Sequence, residues 1–301
     1  MMMGSRKMLL EEYLEKKKAI VDRFLEKYLP KMAGYSPEII QSMRYTLFAG
    51  GKRLRPVLCM ASAEAVGGSA QTVLPVACSI EMIHTYSLIH DDLPSMDNDD
   101  YRRGKPSNHK VFGEGVAVLA GDALLTEAFC LLSGKIPGVS HEKALSIIHA
   151  ISTATGFRGM IGGQVADLRA EGKEVEMEQV NYIHTHKTEA LITVSIRSGA
   201  IAAGADEEDL KALSEYGRKT GLAFQIADDI LDIESSRDIL GKNTGSDKGS
   251  KKATYPALIG LEESKERMRR LVEKALSDIS RFDEKAKPLR MIARFIAERK
   301  S

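Results

Sequence analysis

The 301-residue chain sets 43 Lys and Arg against 42 Asp and Glu, a formal charge of +1, which gives no electrostatic basis for a nucleic-acid partner. Hydrophobic residues make up 43% of it and tryptophan is absent, enough apolar material for the core of one large domain. Cys59, Cys78 and Cys130 lie far apart without CxxC spacing. They read as reduced core thiols of a cytoplasmic protein and speak against a cysteine zinc site.

At the N-terminus, MMMGS is set apart from the fold. The following RKMLLEEYLEKK holds only a two-leucine run before charges resume, so it reads as neither a signal peptide nor a membrane anchor. Runs such as GVAVLAGDALL carry polar breaks and fall short of a roughly 20-residue span. LEEYLEKKKAIVDRFLEKYL and LEESKERMRRLVEKALSDI both show helical periodicity. SPEIIQSMRYTLFAGG supplies Ser36 as cap, Pro37 at the first helical position and a glycine stop. Further helices are expected at about 56–66, 72–92, 115–132, 141–155, 176–203, 207–232 and 288–298. No alternating strand series and no long Pro/Gly/Ser linker occurs, so the expectation is an all-α single domain over residues 1–301.

Five aspartates fall within ten positions in IHDDLPSMDNDDYRRGKP. His84, Ser87 and Asp91 are spaced by three and four, with His84 and Asp91 offset by only about 20° on a helix. Pro94 must end or kink that helix, which lets Asp97 fold back towards Asp91. In FQIADDILD, Asp228 and Asp232 share a face, Gln225 precedes Asp228 by one turn, and the neighbours Phe224, Ile226, Ala227, Ile230, Leu231 and Ile233 are apolar.

Two carboxylates about 4 Å apart repel by roughly 4 kcal/mol in an effective dielectric near 20, so each cluster needs an offsetting charge. Magnesium suits it: it takes oxygen ligands and is commonly held by a few carboxylates together with substrate phosphates. Asp99 and Asp100 read as turn residues. GGKRLRP supplies Lys52, Arg53 and Arg55. Arg102 and Arg103 follow the first acidic group, Lys187 sits in HTHKTEAL, and Lys242, Lys248, Lys251 and Lys252 surround LGKNTGSDKGSKKATYP. Arginine forks and lysine ammoniums in this company suit a polyanion bridged to carboxylates by metal. On position alone His84 is equally readable as a satisfied core histidine.

These residues resemble those of the trans-isoprenyl diphosphate synthases. The likeness runs from about residue 40 to residue 260 through GGKRLRP, EMIHTYSLIHDDLPSMDNDDYRRGKP, GGQVADL, HKT, FQIADDILD and LGKNTGSD...KATYP, in family order. It implies the isoprenoid synthase fold, a helical bundle around a central cavity, and a homodimer. It also implies that Asp91 and Asp97, supported by Asp92, face Asp228 and Asp232 and bind up to three Mg2+ ions. Arg102, Lys187 and Lys242 would hold an allylic diphosphate, and Lys52, Arg55, His84 and Arg103 isopentenyl diphosphate. Thr188 and Gln225 would line the reacting centre.

Within that family a bulky aromatic a few residues before the first motif limits product length. Here Tyr86 and Ser87 occupy those positions, and with the Pro-Ser of the motif they imply a fifteen-carbon product, farnesyl diphosphate. If Tyr86 is ordinary core packing, geranylgeranyl diphosphate is the alternative. A terpene cyclase would not need Lys52, Arg55, His84 and Arg103 for a second diphosphate, and a non-catalytic partner subunit would not keep both acidic motifs.

Overall fold

A computed structural model describes residues 2–30, 36–240 and 254–298, with side chains at 8–30, 36–234 and 254–298. In chain order the elements are α1 (Met2–Tyr28), α2 (Pro37–Leu47), α3 (Leu54–Ala65), α4 (Leu74–Asp91), β1 (Tyr101–Arg102), β2 (Lys105–Pro106), α5 (Asn108–Phe112), α6 (Glu114–Ser133), α7 (His141–Thr155) and α8 (Met160–Ala170). There follow α9 (Met177–Ile183), a π-helical turn (His184–Glu189), α10 (Ala190–Ala203), α11 (Glu207–Leu240), α12 (Tyr255–Ile259), α13 (Leu261–Asp278) and α14 (Lys287–Glu298).

Helices α3, α4 and α10 are apolar nearly all round, and they form the interior for that reason. Packing of α3 on α10, of α6 along α4, and of α11 between α10 and α13 builds the bundle. Leu58, Met60, Ile80, Met82 and Ile83 are fully buried at its centre, each stabilising the fold by about 1.5–3 kcal/mol relative to exposure. Truncating Ile80 to alanine would cost about 2–5 kcal/mol. Outer helices are one-sided. On α13, Ser264, Met268, Val272 and Ala275 form the inward stripe, while Arg269, Arg270, Glu263 and Glu266 pair outside.

Several expectations need correction. The helix expected at 176–203 is interrupted by the π-helical turn, whose extra residue per turn reorients Lys187 and Thr188. The short helix α8, which contains GGQVADL, is absent from the expected helices. A two-residue antiparallel hairpin, with Tyr101 opposite Pro106 and Arg102 opposite Lys105, follows the first acidic motif. Ser36 occupies the cap position but its side chain makes no capping bond. Cys59 and Cys78 are buried as expected, whereas Cys130 is exposed because it falls on the outer face of α6. Helix α6 itself has the length and composition of a membrane span, with a mean hydropathy of 1.7. Asp122 divides its apolar stretches, and its inner face packs on α4.

Candidate active site

Helix α4 ends at Asp91, Asp92 takes the cap position, and the turn carrying Pro94 brings the chain back on itself. The Asp97 amide donates to the Asp91 carbonyl at 2.9 Å. Burial pushes the Asp91 carboxyl up to about 6, Lys187 and Arg102 opposing, Asp97 and Asp92 adding. Asp92, the expected supporting metal ligand, is paired with an arginine. It is 1% exposed, and its Oδ1 accepts from both Nε and Nη2 of Arg102, at 2.7 and 2.5 Å. A carboxylate this buried keeps its charge through a fixed cation, and Arg102 supplies it. Asp99 also meets Arg102, at 3.3 Å, and Asp100 pairs with Lys110 at 2.7 Å.

The hairpin explains why two adjacent arginines diverge. Arg103 and Gly104 both have positive φ, 53° and 75°, the backbone of a type I′ turn that matches strand twist. Arg102 therefore stays on β1 facing Asp92, while Arg103 swings to the opposite side. There its Nη1 donates to the Gly50 carbonyl, and its guanidinium packs on Gly51. Gly51 has φ 117°, a backbone conformation that favours glycine, and the Arg103 guanidinium packs against its bare Cα.

In GGKRLRP the three cations part ways. Arg53 is structural: its side chain is 2% exposed and it bonds Asp22 and Glu81, each at 2.8 Å, and the Leu47 carbonyl at 2.5 Å. Burial alone would lower its pKa, and Glu81 and Asp22 overcome that. Arg55 places Nη1 3.3 Å from Nε2 of His84, and its own Nε is buried with no protein partner. Burial, with Arg55 and Arg103 adding, holds the His84 pKa well below the usual histidine range. His84 is therefore neutral, and the Arg55 contact assigns Nε2 as acceptor and Nδ1 as the protonated nitrogen.

Glycine also shapes the third approach. A Cβ at Gly163 of α8 would fall 2.3 Å from the Lys187 backbone nitrogen, so this residue lets α8 press against the π-helical turn. Lys187 then reaches Asp167 of α8, Nζ to Oδ2 at 2.5 Å. Burial would lower the Lys187 pKa, and Asp167, Asp91 and Asp97 together raise it. Its neighbour Thr188 donates from Oγ1 to Oε1 of Gln225 on α11 at 2.7 Å.

On α11, Asp228 is half-buried and Asp232 exposed. Asp228 acts electrostatically on Arg55 of α3, a residue that lines the same cavity as Asp91. Asp229, between them in sequence, is turned inward and burial raises its carboxyl to about 7. Lys242 lies outside the described residues.

Two cavities result. One of about 510 Å³ is lined by Lys52, Arg55, His84 and Arg103, with Phe224 and Phe295 as apolar cover. The other, of about 440 Å³, is lined by Tyr86, Ser87, Asp91, Lys187 and Thr188. Arg55 and His84 belong to both and form the wall between them. Tyr86 is buried and sits edge-on to His90 at 5.6 Å. Burial, with Asp91 adding, raises its hydroxyl to about 12, so it stays a neutral wall. Ser87 donates to the His84 carbonyl at 2.9 Å.

Met160, Gln164 and Leu168 of α8 also line the second cavity, and the sequence reading left them out. The signal was available, because with Asp167 they sit at i, i+4, i+7 and i+8 on one helical stripe.

A family model described as Polyprenyl synthetase matches residues 36–292. The chain belongs to the polyprenyl synthetase family. As a member of this family of prenyltransferases it is 45% identical over 294 residues to farnesyl diphosphate synthase of Geobacillus stearothermophilus, covering 96% of this chain and 98% of the relative. It is 49% identical over 288 residues to geranylgeranyl diphosphate synthase of Cyanophora paradoxa, covering 95% of each. Among solved structures, an FPP/GFPP synthase from Zymomonas mobilis superposes with a TM-score of 0.88 at 38% identity, covering 96% of this chain and 99% of that one. The all-α bundle is accordingly the isoprenoid synthase fold.

Proposed function

We propose that the chain condenses isopentenyl diphosphate head to tail with dimethylallyl diphosphate and then geranyl diphosphate, giving (2E,6E)-farnesyl diphosphate. One observation carries this reading: two cavities share the Arg55–His84 wall, one lined by cations and the other by Asp91, Lys187 and Thr188. A buried guanidinium nitrogen with no protein partner, Arg55 Nε, favours an anionic guest at the wall.

Lys52, Arg55, His84 and Arg103 bind the diphosphate of the homoallylic substrate, with neutral His84 donating from Nδ1. Arg102, Lys187 and Lys242 bind the allylic diphosphate. For magnesium the fit lies in the carboxylates: Asp91 is pushed up to about 6 partly by Asp97, so the pair favours an added cation. Among the described residues no three acidic, histidine or cysteine side chains form a closed metal cage, which suits an ion shared with substrate phosphates. Asp91, at the end of α4, and Asp97, in the turn that follows, would hold it from one side, and Asp228 and Asp232 from α11, with Asp92 acting through Arg102. Bound there, it would supply neutralisation of the charge growing on the departing diphosphate.

The allylic C–O bond ionises while Arg102 and Lys187 stabilise the leaving oxygens. The oxygens of Thr188 and Gln225 face the resulting carbocation, and apolar Met160, Leu168 and Phe224 exclude the water that would quench it. The isopentenyl double bond attacks, and a proton leaves to the released diphosphate. No side-chain nucleophile is needed.

Geranylgeranyl diphosphate synthase is the second reading, because relatives of both names match at similar identity. Incubation with labelled isopentenyl diphosphate, each allylic starter and magnesium, with products resolved by chain length, decides between them. No elongation with any starter would sink both. A cytoplasmic homodimer completes the proposal. It draws on Val118 and Leu119, exposed on the outer face of α6.

A further inference from the structure

Asp229 lies between two residues of the second acidic stripe but does not share their face. One residue on from Asp228, it is rotated by about 100° into the packing between α11, α12 and the π-helical turn, where it is 5% exposed. Its contacts among the described residues come from α11, α12 and the π-helical turn. Its Oδ2 accepts from the Tyr255 backbone N–H at 3.1 Å and lies 3.4 Å from Nε2 of His184. Its Oδ1 accepts from Nε2 of Gln225 at 3.1 Å. The Gln225 Oε1 in turn accepts from the Thr188 hydroxyl at 2.7 Å.

We infer that Asp229 is a positioning residue: by engaging the amide NH2 of Gln225 it turns that side chain so that its carbonyl oxygen, together with Thr188, is presented to the reacting centre. The inference rests on the reaction proposed above. An amide's two ends are nearly alike in shape, and its network decides which way it lies. Gln225 meets Asp229 through Nε2, so the end that faces Asp229 is the donor end. The carbonyl must then face the other way, where Thr188 donates to it. For a developing carbocation this choice matters: an electron-rich oxygen stabilises positive charge, whereas an NH2 group in the same place repels it.

Asp229 is itself anchored by groups unconnected with substrate. Tyr255 opens α12, its hydroxyl donates to Asn181 of α9, its ring stacks on His184 at 5.2 Å, and the Arg267 guanidinium lies 5.0 Å from the same ring. The carboxylate is thus held from α9, α12 and the π-helical turn, rigid enough to impose an orientation on Gln225.

The test is a double-mutant cycle on Asp229→Asn and Gln225→Met, with kcat, KM for both diphosphates, KM for magnesium, and thermal midpoint recorded. In Asp229→Asn the Tyr255 N–H keeps the amide oxygen, so the new NH2 faces Gln225 and drives it to flip. The expected loss is roughly 10²–10³-fold in kcat with substrate and magnesium KM within about twofold. In the double variant there is no amide to flip, so its activity should equal that of Gln225→Met alone. Losses that multiply, or a large rise in magnesium KM for Asp229→Asn, would make Asp229 an independent ligand and overturn the inference. Should Asp229→Asn fail to fold, Gln225→Glu keeps the Asp229 anchor but removes the donor. It should lose kcat although it adds negative charge beside the cation; unchanged or faster turnover overturns the proposal. A wild-type chain that elongates no allylic diphosphate would defeat the reaction assignment itself, a distinct result from a working enzyme whose losses multiply.

Discussion

The guanidinium of Arg102 clasps the Asp92 carboxylate through two nitrogens, 2.7 and 2.5 Å from one oxygen, and this divides labour between neighbouring aspartates. Asp91 lines the cavity; on the proposed function Asp92 acts one step back by aiming Arg102. Asp91→Ala should therefore lower kcat by about 10³-fold or more, with no recovery at high magnesium. Asp92→Asn should leave magnesium dependence nearly intact and raise the allylic KM by about 10–100-fold, the scale of one charge-assisted hydrogen bond lost. Steady-state kinetics over a magnesium titration compares them, and equal magnesium defects in both variants would return Asp92 to the ligand set.

A pH dependence follows from the same pair of motifs. The Asp91 pKa is raised from 3.8 to about 6, so the native state holds the proton more tightly than the unfolded chain. That contribution to metal-free stability is full below pH 4 and is lost as pH rises through about 6. Its size is at most about 3 kcal/mol, less for the solvent screening of a half-buried group. Asp229 shifts the same way, to about 7. Magnesium with inorganic diphosphate binds the ionised form, so it should raise the thermal midpoint clearly at pH 8. Below pH 6 its apparent affinity should fall by about tenfold per unit for each proton displaced. An effect equal at pH 5 and pH 8 would contradict the assignment.

Much of this site was legible because its signals are local. Helical spacing put His84, Ser87 and Asp91 on one stripe, and all three line one cavity. Pro94 predicted the return that brings Asp97 to Asp91. What escaped depends on partners distant in sequence. Arg53 and Arg55 look alike in GGKRLRP, and only the folded positions of Asp22 and Glu81 make the first structural. Asp167 gains meaning once α8 meets Lys187, and that meeting requires a π-helical turn that no periodicity announces. Asp229 escaped for a similar reason, since Tyr255 and His184 reach it from other elements.

Arg53 offers a test of that division. Its side chain and that of Glu81 are each 2% exposed, so removing one partner strands a buried charge. Arg53→Met should destabilise the protein by about 3–5 kcal/mol, read by urea denaturation. The Arg53→Met, Glu81→Met double variant should recover much of that loss, since it leaves only Asp22, whose side chain is 33% exposed, without its partner. Arg55→Met, by contrast, should leave stability within about 1 kcal/mol and raise the KM for isopentenyl diphosphate by at least about tenfold. A reversed pattern would mean that the two arginines have been assigned the wrong way round.

The outer face of α6 bears on assembly. Leu119 is 58% exposed and Val118 39%, an apolar pair whose burial against a second copy would be favourable. Leu119→Glu should shift the mass measured by light scattering from two chains to one at micromolar concentration. An unchanged dimer would move the interface elsewhere on the surface.

Product length should depend on Tyr86. Its buried ring closes one side of the cavity that contains Asp91, and behind it the His90 ring bonds the Val118 carbonyl of α6 at 3.0 Å. A growing tail that starts at the diphosphate near Asp91 meets this ring about one and a half helical turns deeper along α4. Removing it opens the cavity towards α6, and because His90 is fixed by its backbone bond the space is not refilled by a neighbouring ring. Tyr86→Ala should therefore shift the major product from fifteen carbons to twenty or more. It should also lower the thermal midpoint, the truncation costing about 3–5 kcal/mol as for other buried aromatics. Tyr86→Phe keeps the ring and should keep the fifteen-carbon product. Unchanged chain length in Tyr86→Ala, at retained activity, would reject Tyr86 as the stop and favour the geranylgeranyl reading if the wild-type product already reaches twenty carbons.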